Sequence, residues 1–469
     1  MLRQVGVLLH PSSFPGKYGM GDFGKAAYEF INFLSRAKIS LWQILPLNPV
    51  SEVNSPYQSD SAFAGNIWMI CIEQLEEKGF LDKSDIKQVD SISNKDFAYT
   101  KRIKGEYFRK AFERFHACST EKMIYQKERF DYFCAENAFW LDDYSLYITL
   151  KEQYGRKPWW KWNFTYNDKE ELIKKGLVDS TQVLYHKFLQ FLFYQQWNEL
   201  KSYANEHGIR VIGDIPIYVA PDSADVWAHK ELFQFNDNEM FENVSGAPPD
   251  EFSVTGQKWN GCLYKWEQHE KDKYQWWISR VQFLLKCADV VRFDHFNGLF
   301  RYWSIPKDGE PNEGHYEQGP GESFVKSLTN TIGQEKIIVE DLGNVTEEAV
   351  RVRDSYHLMG MQVLQNGDCD FSRQYCVLYS GTHDNNTLRG WLEHNNGIYK
   401  DVWECIEKLI LSKSKYVIFQ LQDILEVGEE GRMNIPGLEE GNWEYQYKSE
   451  DLTDELCHKL RKCVEYPRR

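Results

Sequence analysis

Three acidic residues in the second half of the chain each follow or end a short strand-like run. Asp294 lies in Val-Arg-Phe-Asp, Glu340 in Ile-Ile-Val-Glu, and Asp384 in Gly-Thr-His-Asp. The acids are 46 and 44 residues apart, about the length of one strand–helix unit with some decoration. If the strands run parallel and close into a barrel, all three carboxylates reach one rim and face one cleft. A pair of carboxylates in a cleft is the usual equipment for breaking a glycosidic bond.

The neighbours of the first two acids predict different protonation states. Arg292, two residues before Asp294 on the same strand, points to the same face, so its guanidinium should lower the pKa of Asp294 and keep it an ionised nucleophile. Glu340 follows an apolar run, and partly apolar surroundings would keep it protonated as a general acid/base. Its neighbour Asp341 would face the other way. Taken singly, each acid also fits a structural ion pair or an ordinary strand end.

Two further strand ends carry polar groups that could hold a sugar. His383 and Asp384 lie in a turn of small residues, where the carboxylate could bind two sugar hydroxyls and favour an oxocarbenium-like transition state. The alternative is an Asx-rich turn with a satisfied histidine. Asp214, in Gly-Asp-Ile-Pro-Ile-Tyr, is a strand-end carboxylate with a weaker signal.

Two loops carry aromatic rings. The segment 55–59 places Tyr57 beside the hydroxyl of Ser55, either as a platform for a sugar or as a simple proline-containing turn. The segment 252–259 ends in Trp259 and could be a mobile loop over a groove or a surface loop with a buried ring. No metal-ligand set stands out. The Gly-x-Gly-x-x-Gly run at 19–24 follows a loop instead of a strand, so it indicates a turn into a helix and no cofactor.

Eight strand-like runs, most of them followed by helix-like stretches, must position these groups. Their short, β-branched apolar character is typical of strands buried on both faces, and their number favours an α/β (β/α)8 TIM barrel over a doubly wound sheet. The runs are 5–10, 41–47, 210–218, 288–294, 336–341, 359–364, 377–383 and 416–421.

Two insertions should decorate a single catalytic barrel that spans residues 1–469. Residues 70–200 have a mostly helical pattern, and residues 220–275 are rich in loops that would lie over the active site. About 48 residues follow the last strand-like run, too few for a C-terminal β-sandwich.

Composition excludes several kinds of partner. The 469 residues carry a net charge of −15, which argues against nucleic acid and anionic membranes. No apolar run approaches the roughly 20 residues of a membrane span. Ten scattered cysteines without a Cys-x-x-Cys motif, and a start that opens directly into a strand, predict a cytoplasmic protein with free thiols. Aromatic residues make up 15 % of the chain, which fits a large core or a sugar-binding surface equally well.

Taken together, these phrases resemble the 4-α-glucanotransferases of glycoside hydrolase family 77, which are also called amylomaltases or disproportionating enzymes. The resemblance spans nearly the whole chain, although the sequence departs from the family pattern at 50–54 and 260–264. The matching segments are 6–10, 55–66, 213–220, 222–227, 246–250, 256–259, the three acid phrases and 432–437.

The resemblance implies a (β/α)8 barrel, a retaining double displacement and substrates such as malto-oligosaccharides and glucans derived from starch or glycogen. Asp294 would attack, Glu340 would act as acid and then as base, and Asp384 would stabilise the transition state. The subsite of the transferred glucose would be lined by Arg292, Asp214, His383 and Tyr57, and Trp259 would hold the acceptor side. Ser55 is a further predicted substrate-binding residue. Retention requires the two reacting carboxyls to lie roughly 5–5.5 Å apart.

Two other functions remain open at this point. A hydrolase of the α-amylase type could use the same acids, but such enzymes usually carry a C-terminal β-sandwich. A non-catalytic glucan-binding protein on a retained barrel is disfavoured by the intact set of acids. The sequence leaves open the oligomeric state, the preferred donor length and the formation of cyclic products.

Overall fold

Twelve strands form two sheets in the computed structural model, which describes residues 3–50, 54–87, 96–166, 169–236, 240–249, 253–367, 369–395, 399–438 and 440–465. Most of the 50–54 departure and the first residue of the 252–259 loop lie outside these ranges. The strands are β1 Gln4–Leu8, β2 Leu41–Gln43, β3 Arg210–Ile215, β4 Asn243–Ala247, β5 Gln257–Lys258, β6 Val290–Phe293, β7 Arg301–Pro306, β8 His315–Gln318, β9 Ile337–Val339, β10 Gly360–Val363, β11 Cys376–Tyr379 and β12 Tyr416–Gln420.

Eight of these strands form one parallel sheet in the order β10-β11-β12-β1-β2-β3-β6-β9. The sheet closes between its first and last strands, where Ile338 bridges to Met359 in parallel and the amide of Val339 donates to the carbonyl of Met359 at 2.9 Å. Each barrel strand overlaps one of the eight strand-like runs, so the predicted (β/α)8 barrel is confirmed. Every barrel strand ends before its run does. At β3, Pro216, which lacks an amide hydrogen, directly follows the last strand residue.

The helices alternate with the barrel strands except at one connection. Among the described residues between β10 and β11, a 3-10 helix at Leu364–Asn366 replaces the expected α-helix. The α-helices are α1 Lys25–Arg36, α2 Ile72–Glu77, α3 Phe97–Ala117, α4 Glu121–Gln153, α5 Lys169–Lys174, α6 Ser180–Glu206, α7 Ala224–Ala228, α8 Trp266–Lys271, α9 Gln275–Cys287, α10 Glu322–Ile332, α11 Glu347–Ser355, α12 Leu388–His394, α13 Val402–Leu411, α14 Leu421–Ile424 and α15 Asp454–Glu465.

Two long excursions leave the carboxyl ends of barrel strands. Between β2 and β3 the chain forms helices α2 to α6, with α4 packed along α6. Between β3 and β9 it forms the antiparallel sheet β5-β4-β7-β8 on either side of β6. The described residues after β12 contain helices α14 and α15 and no strand. The subdomain boundaries 70–200 and 220–275 stay a prediction.

Side chains alternate strictly between the inside and the outside of the barrel. One buried cluster fills the interior and includes Leu41, Ile212 and Ile338. The neighbouring residues Trp42 and Val211 belong to the larger cluster that packs against the surrounding helices. Because strand side chains have a period of two, interior rows continue past the apolar layers to whatever residue ends each strand. None of the ten cysteines, all of which lie in the described ranges, forms a disulfide.

Candidate active site

The interior rows of the barrel end in polar side chains at the carboxyl ends of three neighbouring strands. Asp214 comes two residues after Ile212, Arg292 two after Val290, and Glu340 two after Ile338. Arg292 and Glu340 border a cleft of about 2360 Å³ that is also lined by Asp294, Asp384, Tyr57, Ser55, His383 and Trp259. Asp214 itself is buried beneath this cleft and bonds to the residues that line it. The alternation that fills the core therefore also aims the predicted site residues into one opening.

Arg292 ties two carboxylates together at the floor of the cleft. Its Nη1 donates to both oxygens of Asp214, at 2.8 and 3.0 Å, and its Nη2 lies 3.0 Å from Oδ1 of Asp294. The side chains of Arg292 and Asp214 are 4 % and 0 % exposed, whereas that of Asp294 is 28 % exposed. Asp214 is thus a buried anchor for the guanidinium, and Asp294 is the partner that a ligand can reach.

The pKa of Asp294 differs from the expectation based on its sequence neighbours. Burial raises the pKa of Asp294 to about 6, and Arg292 lowers it only in part, while Asp214 and Asp384 raise it further. The predicted lowering by Arg292 is present but smaller than the cost of desolvating a carboxylate at the bottom of a cleft. The carboxyl is still mostly ionised above neutral pH.

Glu340 is held by backbone amides on either side of the strand end. Its Oε2 accepts from the amide of His295 at 2.8 Å, and its Oε1 accepts from the amide of Leu342 at 2.9 Å. Burial raises the pKa of Glu340 to about 7, with Arg292 acting to lower it and Asp294 to raise it. A carboxyl with this pKa carries a proton in a large fraction of molecules near neutral pH. Asp341 faces away and accepts from the amide of Met361 instead.

His295 makes the contact between these two strand ends possible. It adopts a left-handed conformation with φ of 53°, which is uncommon for a residue with a Cβ. This turn directs its amide at Glu340, one residue after Asp294. Burial lowers the pKa of the imidazole to about 4. His295 was not predicted as a site residue, because a single left-handed residue leaves no pattern in the sequence.

Asp384 is positioned by a segment that comes much later in the chain. Asn434 Nδ2 donates to Oδ1 of Asp384 at 2.6 Å, and Arg432 Nη2 donates to the Asp384 carbonyl at 2.6 Å. His383 Nε2 lies 3.3 Å from Oδ2 of Asp384, whose side chain remains 45 % exposed. Arg432 and Asn434 belong to a motif that supported the resemblance, but no role at the site was predicted for them.

Tyr57 bridges the anchor carboxylate and the histidine. Its hydroxyl donates to Oδ2 of Asp214 at 2.5 Å, and its ring stacks on His383 with a centroid distance of 4.9 Å and an interplanar angle of 16°. Burial and the charge of Asp214 raise the pKa of Tyr57 well above its usual value, so the hydroxyl stays a donor. Ser55 Oγ accepts from the Tyr57 amide at 3.3 Å. Trp443, which the sequence did not single out, packs against both rings.

Trp259 borders the cleft beside the end of β6, which leads into Asp294. Its ring meets the edge of the His295 imidazole at 4.9 Å, and its Nε1 donates to Gln257 Oε1 at 3.1 Å. Asn260, the first residue of the 260–264 departure, has a φ of 58°. At Gly261 a Cβ would come within 2.5 Å of the Tyr218 side chain, so the chain turns sharply here just after the ring. All nine predicted site residues therefore lie in or directly beneath one cleft.

Across the described residues, no group of three or more His, Cys, Asp or Glu side chains is arranged to hold a metal ion. None of the described helices combines the length and apolar character needed to cross a membrane.

A closed (β/α)8 barrel with several carboxylates around the cleft at its carboxyl end is the architecture of a carbohydrate-active barrel enzyme. The chain belongs to the 4-α-glucanotransferase family, glycoside hydrolase family 77, whose sequence profile matches residues 9–453. It is an enzyme that transfers glucan segments.

Relatives across bacteria and plants support this membership. The chain is 39 % identical to a 4-α-glucanotransferase from Synechocystis, with 98 % of this chain and 96 % of the relative covered. It is 36 % identical to the 4-α-glucanotransferase of Thermus thermophilus, with 99 % and 98 % covered. A chloroplastic or amyloplastic 4-α-glucanotransferase of Solanum tuberosum is 34 % identical, with 98 % and 85 % covered.

Solved structures agree with the fold. An amylomaltase from Streptococcus agalactiae in complex with acarbose is 32 % identical, with a TM-score of 0.92 and 99 % of each chain covered. An amylomaltase from Corynebacterium glutamicum is 18 % identical, with a TM-score of 0.81, 98 % of this chain and 75 % of that chain covered. At that identity, the second likeness bears on the fold alone.

Proposed function

We propose that this enzyme moves α-1,4-glucan segments from a donor malto-oligosaccharide to the 4-hydroxyl of an acceptor glucan or glucose. The transfer runs as a retaining double displacement through a covalent glucosyl-enzyme. Malto-oligosaccharides and glucans derived from starch or glycogen are the substrates, and the enzyme acts in the cytoplasm. The observation that supports this most is the different environment of each of three acids that share one cleft.

Asp294 is the nucleophile in this proposal. Its Oδ1 is held by Arg292, which leaves Oδ2 to attack the anomeric carbon of the donor. The C1–O bond to the leaving sugar breaks, and a new C1–O bond forms to Asp294. Since Arg292 is itself fixed by two bonds to buried Asp214, the attacking carboxylate is oriented before the sugar arrives.

Glu340 is the general acid and then the general base. With a pKa of about 7 it carries the proton that the leaving oxygen needs, and it takes a proton from the incoming 4-hydroxyl in the second step. Formation of the glucosyl ester removes the negative charge on Asp294, which had raised the pKa of Glu340. The pKa of Glu340 should therefore fall in the intermediate, when a base is required.

The remaining residues hold the sugars. Asp384, His383, Tyr57 and Ser55 line the subsite of the transferred glucose, and Asp384 stabilises the positive charge that develops at the ring. Trp259 offers its face to the acceptor, because aromatic rings pack well against apolar sugar faces. An acceptor seated there competes with water for the glucosyl-enzyme, which favours transfer over hydrolysis.

Product analysis with maltotriose tests the proposal. Transfer yields a ladder of shorter and longer oligomers, whereas a hydrolase of the α-amylase type yields maltose and glucose without longer products. The variant Asp294→Ala should lose transfer and still bind oligosaccharide, as measured by calorimetry. Wild-type turnover by this variant would refute the assignment of the nucleophile.

A further inference from the structure

A buried carboxylate outside the cleft holds both ends of the loop that carries His383 and Asp384. Asp423 lies in α14, directly after β12, and its side chain is completely buried. Its Oδ2 accepts from the hydroxyl of Ser380 at 2.5 Å, and its Oδ1 accepts from the amide of Leu388 at 2.7 Å. Ser380 is the first residue after β11, and Leu388 is the first residue of α12. One side chain therefore bridges the entry and the exit of the segment 381–387.

The middle of the same loop is held by other groups. Asn385 Oδ1 accepts from both the amide and the hydroxyl of Thr382, at 2.8 and 2.9 Å, which closes the turn on itself. The carbonyl of Asn386 accepts from Gln365 and Gln420 at 2.7 and 3.1 Å. Gln420 ends β12 and Gln365 lies just after β10, so these contacts join the middle of the turn to the barrel, while Arg432 and Asn434 hold Asp384. The two bonds to Asp423 are the ones that join the entry and the exit of the turn to a single side chain.

We propose that Asp423 is a positioning residue for glucan transfer, which sets the place of Asp384 by clamping Ser380 and Leu388 with one oxygen each. This inference rests on the proposed role of Asp384 at the transition state. Asp423 does not line the cleft. It acts only through the loop, because loss of both bonds frees the entry and the exit of the turn while the contacts to its middle remain. A misplacement of about 1 Å is enough to lower turnover by roughly 10²-fold.

The clamp predicts a defect in turnover and not in donor binding. Asp423→Ala should lower kcat by about 10- to 100-fold and leave the KM for maltotriose within about twofold, since Asp384 contributes mainly at the transition state. Asp423→Asn should recover most of the turnover, because its amide oxygen can accept from Leu388 while its NH₂ donates to Ser380. Ser380→Ala, which removes one of the two bonds, should lie between them.

Loss of folded protein must be separated from loss of positioning. Each kcat is therefore divided by the fraction of folded enzyme, measured by circular dichroism at the assay temperature. Leu460→Ala provides the matched control, because this residue is fully buried in α15, outside the cleft. It should lower the melting temperature while the normalised kcat stays that of the wild type. A normalised kcat of wild-type size for Asp423→Ala would overturn the proposal.

A double-mutant cycle decides whether Asp423 works through Asp384. In an Asp384→Asn background, measured with the activated donor, Asp423→Ala should lower turnover by less than about twofold further. If the two losses multiply, Asp423 has a general structural role and the clamp is refuted. If Asp384→Asn alone has wild-type turnover, the proposed role of Asp384 is wrong. The two failures are therefore distinguishable.

Discussion

The pH dependence of the first displacement follows from opposite requirements on two carboxyls. In the proposed mechanism Asp294, with a pKa of about 6, must be ionised to attack, and Glu340, with a pKa of about 7, must be protonated to help the leaving group depart. With these pKa values about 60 % of molecules carry both groups in the required state at pH 6.5, and about 9 % at pH 5 or pH 8. The kcat/KM for maltotriose should therefore follow a bell-shaped pH profile that falls about sixfold over 1.5 pH units on either side.

The variant Glu340→Gln tests whether Glu340 is the group that causes the decline in activity at alkaline pH. With a maltosyl fluoride donor the leaving fluoride needs no protonated acid, so the burst of fluoride release measures attack by Asp294 alone. Glutamine resembles the neutral form of Glu340, so the acid side should stay near pH 6 while the decline above pH 7 disappears. The exposed residue Glu393, paired with Arg389 outside the cleft, gives the control Glu393→Gln, which should keep both sides. An alkaline decline that persists in Glu340→Gln would refute the assignment.

Three further variants test separate parts of the site. Tyr57→Phe removes a 2.5 Å hydrogen bond to the buried Asp214 carboxylate. Because a hydrogen bond to a charged group contributes roughly 1.5–3 kcal/mol, kcat/KM in initial-rate assays should fall about tenfold or more. An unchanged kcat/KM would show that the Tyr57 hydroxyl does not hold Asp214 in place. Lys151→Met leaves the two partly buried carboxylates of Asp60 and Asp222 without the ammonium that they share, which should lower the free energy of unfolding, measured in urea, by roughly 3–5 kcal/mol. The control Lys174→Met breaks an exposed pair with Glu170 and should change the free energy of unfolding little. Equal effects of the two variants would contradict this reasoning. Trp259→Ala removes the acceptor-side ring, so the ratio of longer oligomers to free glucose from maltotriose should fall, and a product ladder of wild-type proportions would place the acceptor elsewhere.

The barrel could be predicted from the sequence because each of its strands is marked by residues that are neighbours in the chain. Each barrel strand is a short apolar run, and the period of two within a strand fixes which residues face the interior. That period links Ile338 to Glu340 and Val290 to Arg292, so the orientation of these side chains followed from position alone. The end of β3 was placed too late, although Pro216 marks it, because the apolar character continues past the proline.

The groups that hold the acids could not be found in this way. Asn434 and Arg432 lie in a stretch without a strand or an α-helix, 50 and 48 residues from Asp384 along the chain, and they act only because that stretch folds back over the loop. The amide of His295 reaches Glu340 because this one residue has a left-handed φ, and every residue except proline carries such an amide hydrogen. Such contacts depend on how loops pack against each other, and neither periodicity nor composition reports loop packing.

The pKa of Asp294 depends more on its whole surroundings in the cleft than on its sequence neighbour Arg292. A guanidinium two residues away predicts a lowered pKa, but Arg292 divides its donors between Asp294 and Asp214, so its charge is shared. Burial does most to raise the pKa of Asp294, and the nearby carboxylates of Asp214 and Asp384 raise it further. The same crowding favours any positive charge that appears among these groups. An oxocarbenium-like sugar ring is such a charge, and it exists only while the glycosidic bond is breaking. In the proposed mechanism, the repulsion among these carboxylates that helps to raise the pKa of Asp294 is therefore relieved at the transition state.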